Sequence, residues 1–336
     1  MPIMIAPAEY HNAQRWLAGY RHPLILTHRR PDGDALGGVA ALARVLTASG
    51  VQTRPALYEP MPPRYGLLQD MVNWHRWDLE QATLRAETDA VVLIDTCAWS
   101  QLDPVADFLQ HAPPLLVIDH HPTCDPIGTR PGDLRVIDTS AGAVCVLVAE
   151  FIRAAGFAVD TPAATALLVG MGTDTGWFRF SGADARLLRL AADMVEAGAP
   201  PASTYCYIYE QDPPGRLRLV GRMLDGLELL AGGRLVVLKV RQADFIAAGA
   251  TNAMTEDLVN EAGRLAGLEA TLLFSEEPDG AVRVSLRSKQ HLDVSKIAAE
   301  FNGGGHFHAA GARPPGRWDE AVPRVIARTL EALDRV

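Results

Sequence analysis

Residues 115–123 read Leu-Leu-Val-Ile-Asp-His-His-Pro-Thr, an apolar run that passes directly into Asp119, His120 and His121. Four consecutive apolar residues indicate a strand buried on both faces, and such strands belong to parallel sheets covered by helices. In an open parallel sheet, ligands bind outside the carboxyl ends of the strands. A core strand ending in one carboxylate and two imidazoles therefore predicts an α/β fold with a polar site at one end of its sheet.

The flanking chain repeats this pattern. Residues 23–27 form a second short apolar strand, and the turn after it, His28-Arg29-Arg30-Pro31-Asp32-Gly33-Asp34, sets one imidazole and two carboxylates ahead of a helix predicted over 35–49 and ended by Gly50. Residues 89–96 form a third strand, which ends in Asp95. Strands over 51–57 and 134–138, with helices over 8–20, 100–109, 141–155 and 184–197, complete an alternation of strand and helix that implies a parallel sheet. Residues 161–172 read as a buried helix of small residues with Pro162 in its first turn, running on to Asp174.

A helix over 215–230 looks like part of a connector, and a new pattern starts at Arg234. Strands are predicted over 234–241, 270–276 and 281–287, and helices over 243–249, 255–266 and 319–333. Val294, Ile297, Ala298 and Phe301 share one face of a further helix. It ends in Gly303-Gly304-Gly305-His306, predicted to be a loop whose backbone N–H groups approach an anion, with His306 projecting into the same place. The expected organisation is a parallel-sheet α/β metal-binding domain over 1–197, a helical connector over 198–231, and a smaller α/β substrate-binding domain over 232–336, with a cleft between the two domains.

Composition narrows the chemistry. The chain has 31 basic and 40 acidic residues, net −9, which disfavours a sequence-independent grip on long duplex nucleic acid. A small anionic substrate held by metals and a few arginines remains compatible. Cys97, Cys124, Cys145 and Cys206 form no C-x-x-C pair and match no zinc module, so they read as reduced thiols. No apolar run approaches the roughly 20 residues that cross a bilayer, and the expectation is a cytoplasmic protein without a membrane partner. Asp32, Asp34, Asp95 and Asp174 bring one negative charge each, which two divalent cations balance, and His28 and His120 add neutral ligands. An oxygen-rich set without thiolates suits manganese or magnesium. Two such ions can generate a hydroxide and clamp the oxygens of an in-line displacement at phosphorus.

The stretches H-R-R-P-D-G-D-A from His28, V-V-L-I-D-T from Val91, V-I-D-H-H-P-T from Val117, G-T-D-T-G-W-F-R-F from Gly172, V-S-L-R-S-K from Val284 and G-G-G-H-F-H-A-A-G from Gly303 occur in this order. Together they resemble the DHH phosphoesterase family, in the subfamily with a C-terminal DHH-associated domain and among its members that hydrolyse short RNA and pAp. The resemblance implies two manganese ions, with magnesium as the alternative. His28, Asp32 and Asp95 would hold one, and Asp34, Asp95, His120 and Asp174 the other, Asp95 being shared. His121 would face the scissile phosphate, and Asp119 would orient a histidine ligand. Arg287, Ser288, Gly303, Gly304, Gly305 and His306 would grip the nucleotide from the second domain.

The implied substrates are short RNA oligonucleotides cleaved to mononucleotides, pAp cleaved to AMP and phosphate, and linear dinucleotides. The resemblance also admits a homodimer. Gly38 and Phe307-His308 depart from the residues frequent in the family and bear on substrate preference alone. The rivals are a cyclic-dinucleotide phosphodiesterase, a soluble pyrophosphatase, a RecJ-like single-strand exonuclease and a catalytically silent nucleotide sensor. The G-G-G-H domain argues against the pyrophosphatase, the length of the chain against the RecJ-like enzyme, and the intact ligand set against the sensor.

Overall fold

The computed structural model describes residues 5–111, 113–122 and 124–336, and the backbone alone of Pro7 and His306. The chain divides into two units, Met1–Gln211 and Asp212–Val336.

The strands of the first unit are β1 (Pro23–Leu26), β2 (Arg54–Leu57), β3 (His75–Arg76), β4 (Ala90–Ile94), β5 (Leu115–Asp119) and β6 (Leu134–Ile137). They form one parallel sheet in the order β3-β2-β1-β4-β5-β6. β1, β4 and β5 are buried along their whole length, which explains their unbroken apolar sequences. The connection order reverses between β1 and β4. In a sheet of this kind, that reversal opens a crevice at the carboxyl ends of the two strands.

The helices of this unit are α1 (Pro7–Leu17), α2 (Gly33–Ala48), α3 (Trp77–Glu87), α4 (Ala106–His111), α5 (Val144–Ala154), α6 (Thr161–Asp174), α7 (Ala185–Glu196) and α8 (Pro201–Tyr209). Alternate strand residues feed two cores. Ile25, Ile94 and Ile118 pack with α1, α2, α5, α6 and α7, whereas Leu26, Leu93 and Val117 pack with α3 and α4 on the other face. Contact between α2 and α6 is close enough that a β-carbon on Gly37 would meet the Ala166 carbonyl oxygen at 2.3 Å. The predicted helix over 100–109 is instead two 3₁₀ turns, Trp99–Gln101 and Asp103–Val105, ahead of α4. Pro104 at the start of the second turn cannot continue a helix from the first.

The second unit contains α9 (Pro214–Asp225), β7 (Glu228–Leu230), β8 (Leu235–Val240), α10 (Gln242–Ala248), β9 (Ala270–Glu276), β10 (Val282–Ser288), α11 (Val294–Ala299), β11 (Gly304–His306), β12 (Ala309–Ala312) and α12 (Trp318–Leu333). Its sheet runs β11-β12-β10-β9-β8-β7 and is antiparallel except for the β8–β9 pair. α11 and α12 cover one face, and α9 and α10 the other.

Three expectations are corrected in this unit. The helix predicted to reach Leu230 stops at Asp225, with Gly226 as its cap, and 228–230 become an edge strand. The helix predicted over 255–266 is a pair of 3₁₀ segments, Asn252–Thr255 and Leu258–Arg264, parted at Asp257, whose φ of 63° is left-handed. The loop predicted for the glycine run is largely strand, with Gly304 opposite Gly311 and Gly305 opposite Ala310. A β-carbon on Gly303 would meet the Gly311 carbonyl oxygen at 2.1 Å, and one on Gly305 (φ 141°) the Ala309 carbonyl oxygen at 2.4 Å. The two backbones run too close for any other residue at those positions. Among the described residues, no helix is long and apolar enough to cross a membrane.

Candidate metal centre

The carboxyl ends of β1, β4 and β5 bring the predicted ligands together. His28 follows β1. Asp32 caps α2, its Oδ1 accepting the N–H groups of Asp34 at 3.0 Å and Ala35 at 3.1 Å, which starts the helix two residues earlier than predicted. Asp34 is thereby set in the first turn, fully buried. Asp95 follows β4 with φ at 64°, a left-handed backbone that a non-glycine residue keeps only where its surroundings enforce it. Asp119 ends β5, with His120 and His121 next, and α6 ends on Asp174.

The donors fall into overlapping groups. The ligand atoms of His28, Asp32 and Asp95 lie within 4.8 Å of one another, so do those of Asp34, His120 and Asp174, and so do those of Asp95, His120 and His121. Asp95 turns one oxygen to each of the first two: Oδ2 is 3.6 Å from His28 Nε2, and Oδ1 is 3.3 Å from His120 Nε2. His120 Nε2 also lies 3.6 Å from Asp174 Oδ2 and 3.8 Å from Asp34 Oδ2. Asp95 Oδ1 is buried and lacks a hydrogen bond of acceptable geometry, although His120 is within reach. A carboxylate and an imidazole so placed could serve as two ligands of one ion.

The electrostatics agree. Burial and the neighbouring Asp95 push the Asp34 carboxyl up to about 7. Burial opposes charging of His28 and His120, but the close approach of Asp95 and the surrounding carboxylates outweigh it, raising both above the usual histidine value. Burial likewise opposes ionisation of Asp95, yet the two imidazoles hold it below the usual carboxylate range. Such a pattern reports a strongly negative potential in a confined place, which a divalent cation relieves. The donor set therefore fits a pair of hard or borderline divalent ions.

Further groups hold the ligands. His120 Nδ1 is 3.0 Å from the Ala141 carbonyl oxygen, so Nδ1 carries a proton and Nε2 is the atom turned to the carboxylates. The first N–H groups of α5 grip Asp34, Val144 donating to Oδ2 at 2.5 Å and Cys145 to Oδ1 at 3.0 Å. Asp119, wholly buried, pairs with His121 Nδ1 at 2.7 Å and accepts the His120 N–H at 2.9 Å. Sequence reasoning missed the Ala141, Val144 and Cys145 contacts because a backbone donor or acceptor has no residue signature. It also took the cysteines singly, whereas Cys97 and Cys124 share a separate cluster with Asp119, with Arg135 Nη2 3.4 Å from Cys97 Sγ.

The substrate-binding candidates belong to the second unit. Arg287 is half-buried in β10, donating through Nε to Asn260 Oδ1 at 3.2 Å and through Nη1 to its neighbour's carbonyl, Leu286, at 3.0 Å. Ser288 Oγ lies 3.0 Å from His308 Nδ1. Gly304 has open space where a β-carbon would stand. The His306 side chain lies outside the described residues.

A family model described as the DHH family, N-terminal domain, matches residues 23–171, and one for the DHHA1 domain matches 232–335. The chain is 31% identical over 318 residues, 93% of its length and 90% of the relative's, to the bifunctional oligoribonuclease and PAP phosphatase NrnA of Thermus thermophilus. It is 28% identical to the protein of the same name from Bacillus subtilis, over 95% of this chain and 96% of that one. An exopolyphosphatase-related protein from Bacteroides fragilis shares the fold, with a TM-score of 0.90 at 22% identity over 98% of both chains.

Proposed function

Because this chain belongs to the DHH family of metal-dependent phosphoesterases, we propose that it hydrolyses short RNA oligonucleotides to mononucleotides, and pAp to AMP and phosphate, with two manganese ions. The observation that carries the reading is Asp95, a buried carboxylate with one oxygen directed to each of two donor groups. The activities named for the Thermus and Bacillus relatives support the choice of substrate.

In this reading His28, Asp32 and Asp95 would hold one ion, and Asp34, Asp95, His120 and Asp174 would hold the other. The ions, when bound, supply Lewis acidity for an in-line displacement at phosphorus. The chain contributes positioning. Asp119 holds His121 by Nδ1, which fixes the ring that would face the scissile phosphate. Ala141 keeps His120 in the tautomer that offers Nε2 as a ligand, and the start of α5 keeps Asp34 from swinging away. Arg287, Ser288, the glycine stretch and His306 grip the nucleotide, and the net charge of −9 favours substrates too short to need a long basic track.

A manganese-supplemented assay comparing a dinucleotide, a long RNA, pAp, pyrophosphate and a cyclic dinucleotide tests this. The dinucleotide and pAp should turn over fastest. Equal or greater rates on the long RNA would move the assignment toward a processive exonuclease, and pyrophosphate as the best substrate would overturn it.

A further inference from the structure

One buried charge network in the first unit has no part in the chemistry above. Arg186 of α7 spans two carboxylates. Its Nη1 donates to Asp138 Oδ2 at 2.7 Å, while Nε and Nη2 donate to Glu150 Oε1 and Oε2 at 2.7 and 2.6 Å. Tyr10 closes the far end, its hydroxyl donating to Glu150 Oε2 at 2.7 Å. The side chains of Asp138, Arg186 and Glu150 are only 1%, 15% and 14% exposed. Charges so withdrawn from water are weak evidence for stability, and fixing one conformation is the use for which they are better attested.

The conformation at stake is the turn after β6. Asp138 Oδ1 accepts the N–H of Ser140 at 2.9 Å and its hydroxyl at 2.5 Å, and the Ala141 N–H donates to the Asp138 carbonyl at 3.1 Å. That turn contains the Ala141 carbonyl that fixes His120, and it leads into the two N–H groups that hold Asp34. It also interlocks with the chain ahead of α7, since a β-carbon on Gly142 would meet the Gly182 carbonyl oxygen at 2.0 Å. Arg186 thus ties the turn from the side chain while Gly182 presses on it from the backbone.

We propose that Arg186 is a positioning residue of the metal centre: through Asp138 it fixes the 138–143 turn, and through that turn it sets the His120 ring and the Asp34 carboxylate. The proposal rests on the ligand roles given under Proposed function. Glu150 holds the guanidinium from the opposite side in a two-pronged contact, a planar fork geometry that a lysine ammonium does not reproduce.

The test uses the full chain with Arg186→Met, Arg186→Lys and Asp138→Asn, and with Arg153→Met as control. Arg153 lies in α5, 65% exposed, and meets Asp193 at 3.7 Å. Manganese affinity is read from the paramagnetic resonance of free Mn²⁺, kcat and KM are measured on a dinucleotide, and circular dichroism monitors the fold. Arg186→Met and Asp138→Asn should weaken manganese binding and lower kcat by about ten- to a hundredfold, the usual range for groups that orient ligands. KM should stay within a few-fold, Arg186→Lys should rescue only partly, and the control should match the wild type. Wild-type manganese affinity and kcat in folded Arg186→Met, or a loss confined to KM, would overturn the proposal. So would metal binding that disappears only together with the fold in both Arg186→Met and Asp138→Asn, which would make the network scaffold. A wild-type protein that binds no manganese or leaves the dinucleotide intact would instead sink the functional reading, and this proposal with it.

Discussion

Both units are six-stranded sheets with helices on each face, yet they present their chemistry-bearing residues in different ways. In the first, the candidate ligands stand at strand ends and helix termini, and the most important of them, Asp34 and Asp95, are buried. In the second, Arg287 lies within a strand, and the glycine stretch forms β11, the last strand of the sheet. The difference follows from strand direction. An all-parallel sheet gathers its strand ends and helix N-termini at one edge, so polar groups from distant parts of the sequence converge on a point. A mixed sheet has no such end and offers instead an open edge, where unpaired backbone groups face outward. The first unit gathers its donors at a point, and the second sets its candidate residues along a strand and a sheet edge.

The largest test of that contrast is removal of metal. Excess chelator should abolish turnover. It should also lower hydrogen-exchange protection in β1, β4 and β5 while leaving β8, β9 and β10 unchanged. An ion present at a hundred times its dissociation constant stabilises the unit that binds it by about 2.7 kcal/mol. Equal loss of protection in both units would break the comparison.

Next in size is Asp95→Asn, which keeps the shape of the side chain and removes the charge shared by the two donor groups. Turnover should fall at least ~100-fold, because a two-ion clamp loses its common ligand. Turnover near that of the wild type would end the two-metal reading.

Arg287→Ala should act more weakly and on a different parameter. A charge-assisted hydrogen bond contributes roughly 1.5 to 3 kcal/mol, so kcat/KM on a dinucleotide should drop about 10- to 100-fold, with manganese affinity unchanged. Hydrolysis of a small generic diester such as bis(p-nitrophenyl) phosphate should be much less affected. If both substrates respond alike, the arginine is structural, tied as it is to Asn260 and the Leu286 carbonyl.

How legible these features were depends on whether they are written in side chains. The parallel sheet could be read because β1, β4 and β5 are apolar throughout, and most motif residues of the candidate metal centre because they are carboxylates or imidazoles that follow such a run, whereas Asp174, at the end of α6, lacks that signal. What holds them could not be read: the Ala141 carbonyl and the α5 N–H groups are the same in any residue. Arg186, Asp138 and Glu150 become a network only after folding, since 48 residues part the first two and 36 separate Arg186 from Glu150. The glycine run misled for a related reason. Three glycines allow a loop and equally allow two backbones to meet at close range, and only the pairing with Gly311 and Ala310 decides between them.

That ambiguity sets up the smallest and most discriminating test. Gly303 and Gly305 are required by the fold, because a β-carbon on either would strike a carbonyl oxygen across the hairpin. Gly304 sits between them with nothing within 4 Å of where its β-carbon would be, and its φ is not left-handed. Gly305→Ala should therefore destabilise the second unit by about 1–3 kcal/mol through backbone strain, whatever the substrate does. Gly304→Ala should leave stability within about 0.5 kcal/mol of the wild type, as ordinary surface substitutions do. If the strand edge binds the nucleotide through close backbone approach, the added methyl group blocks that approach, and KM for a dinucleotide rises on the order of tenfold, the equivalent of one lost hydrogen bond to a charged group. Urea unfolding and dinucleotide kinetics on the two variants separate these effects. Unchanged kinetics in Gly304→Ala would mean that the glycines serve the hairpin alone, and that the second unit grips its substrate through side chains.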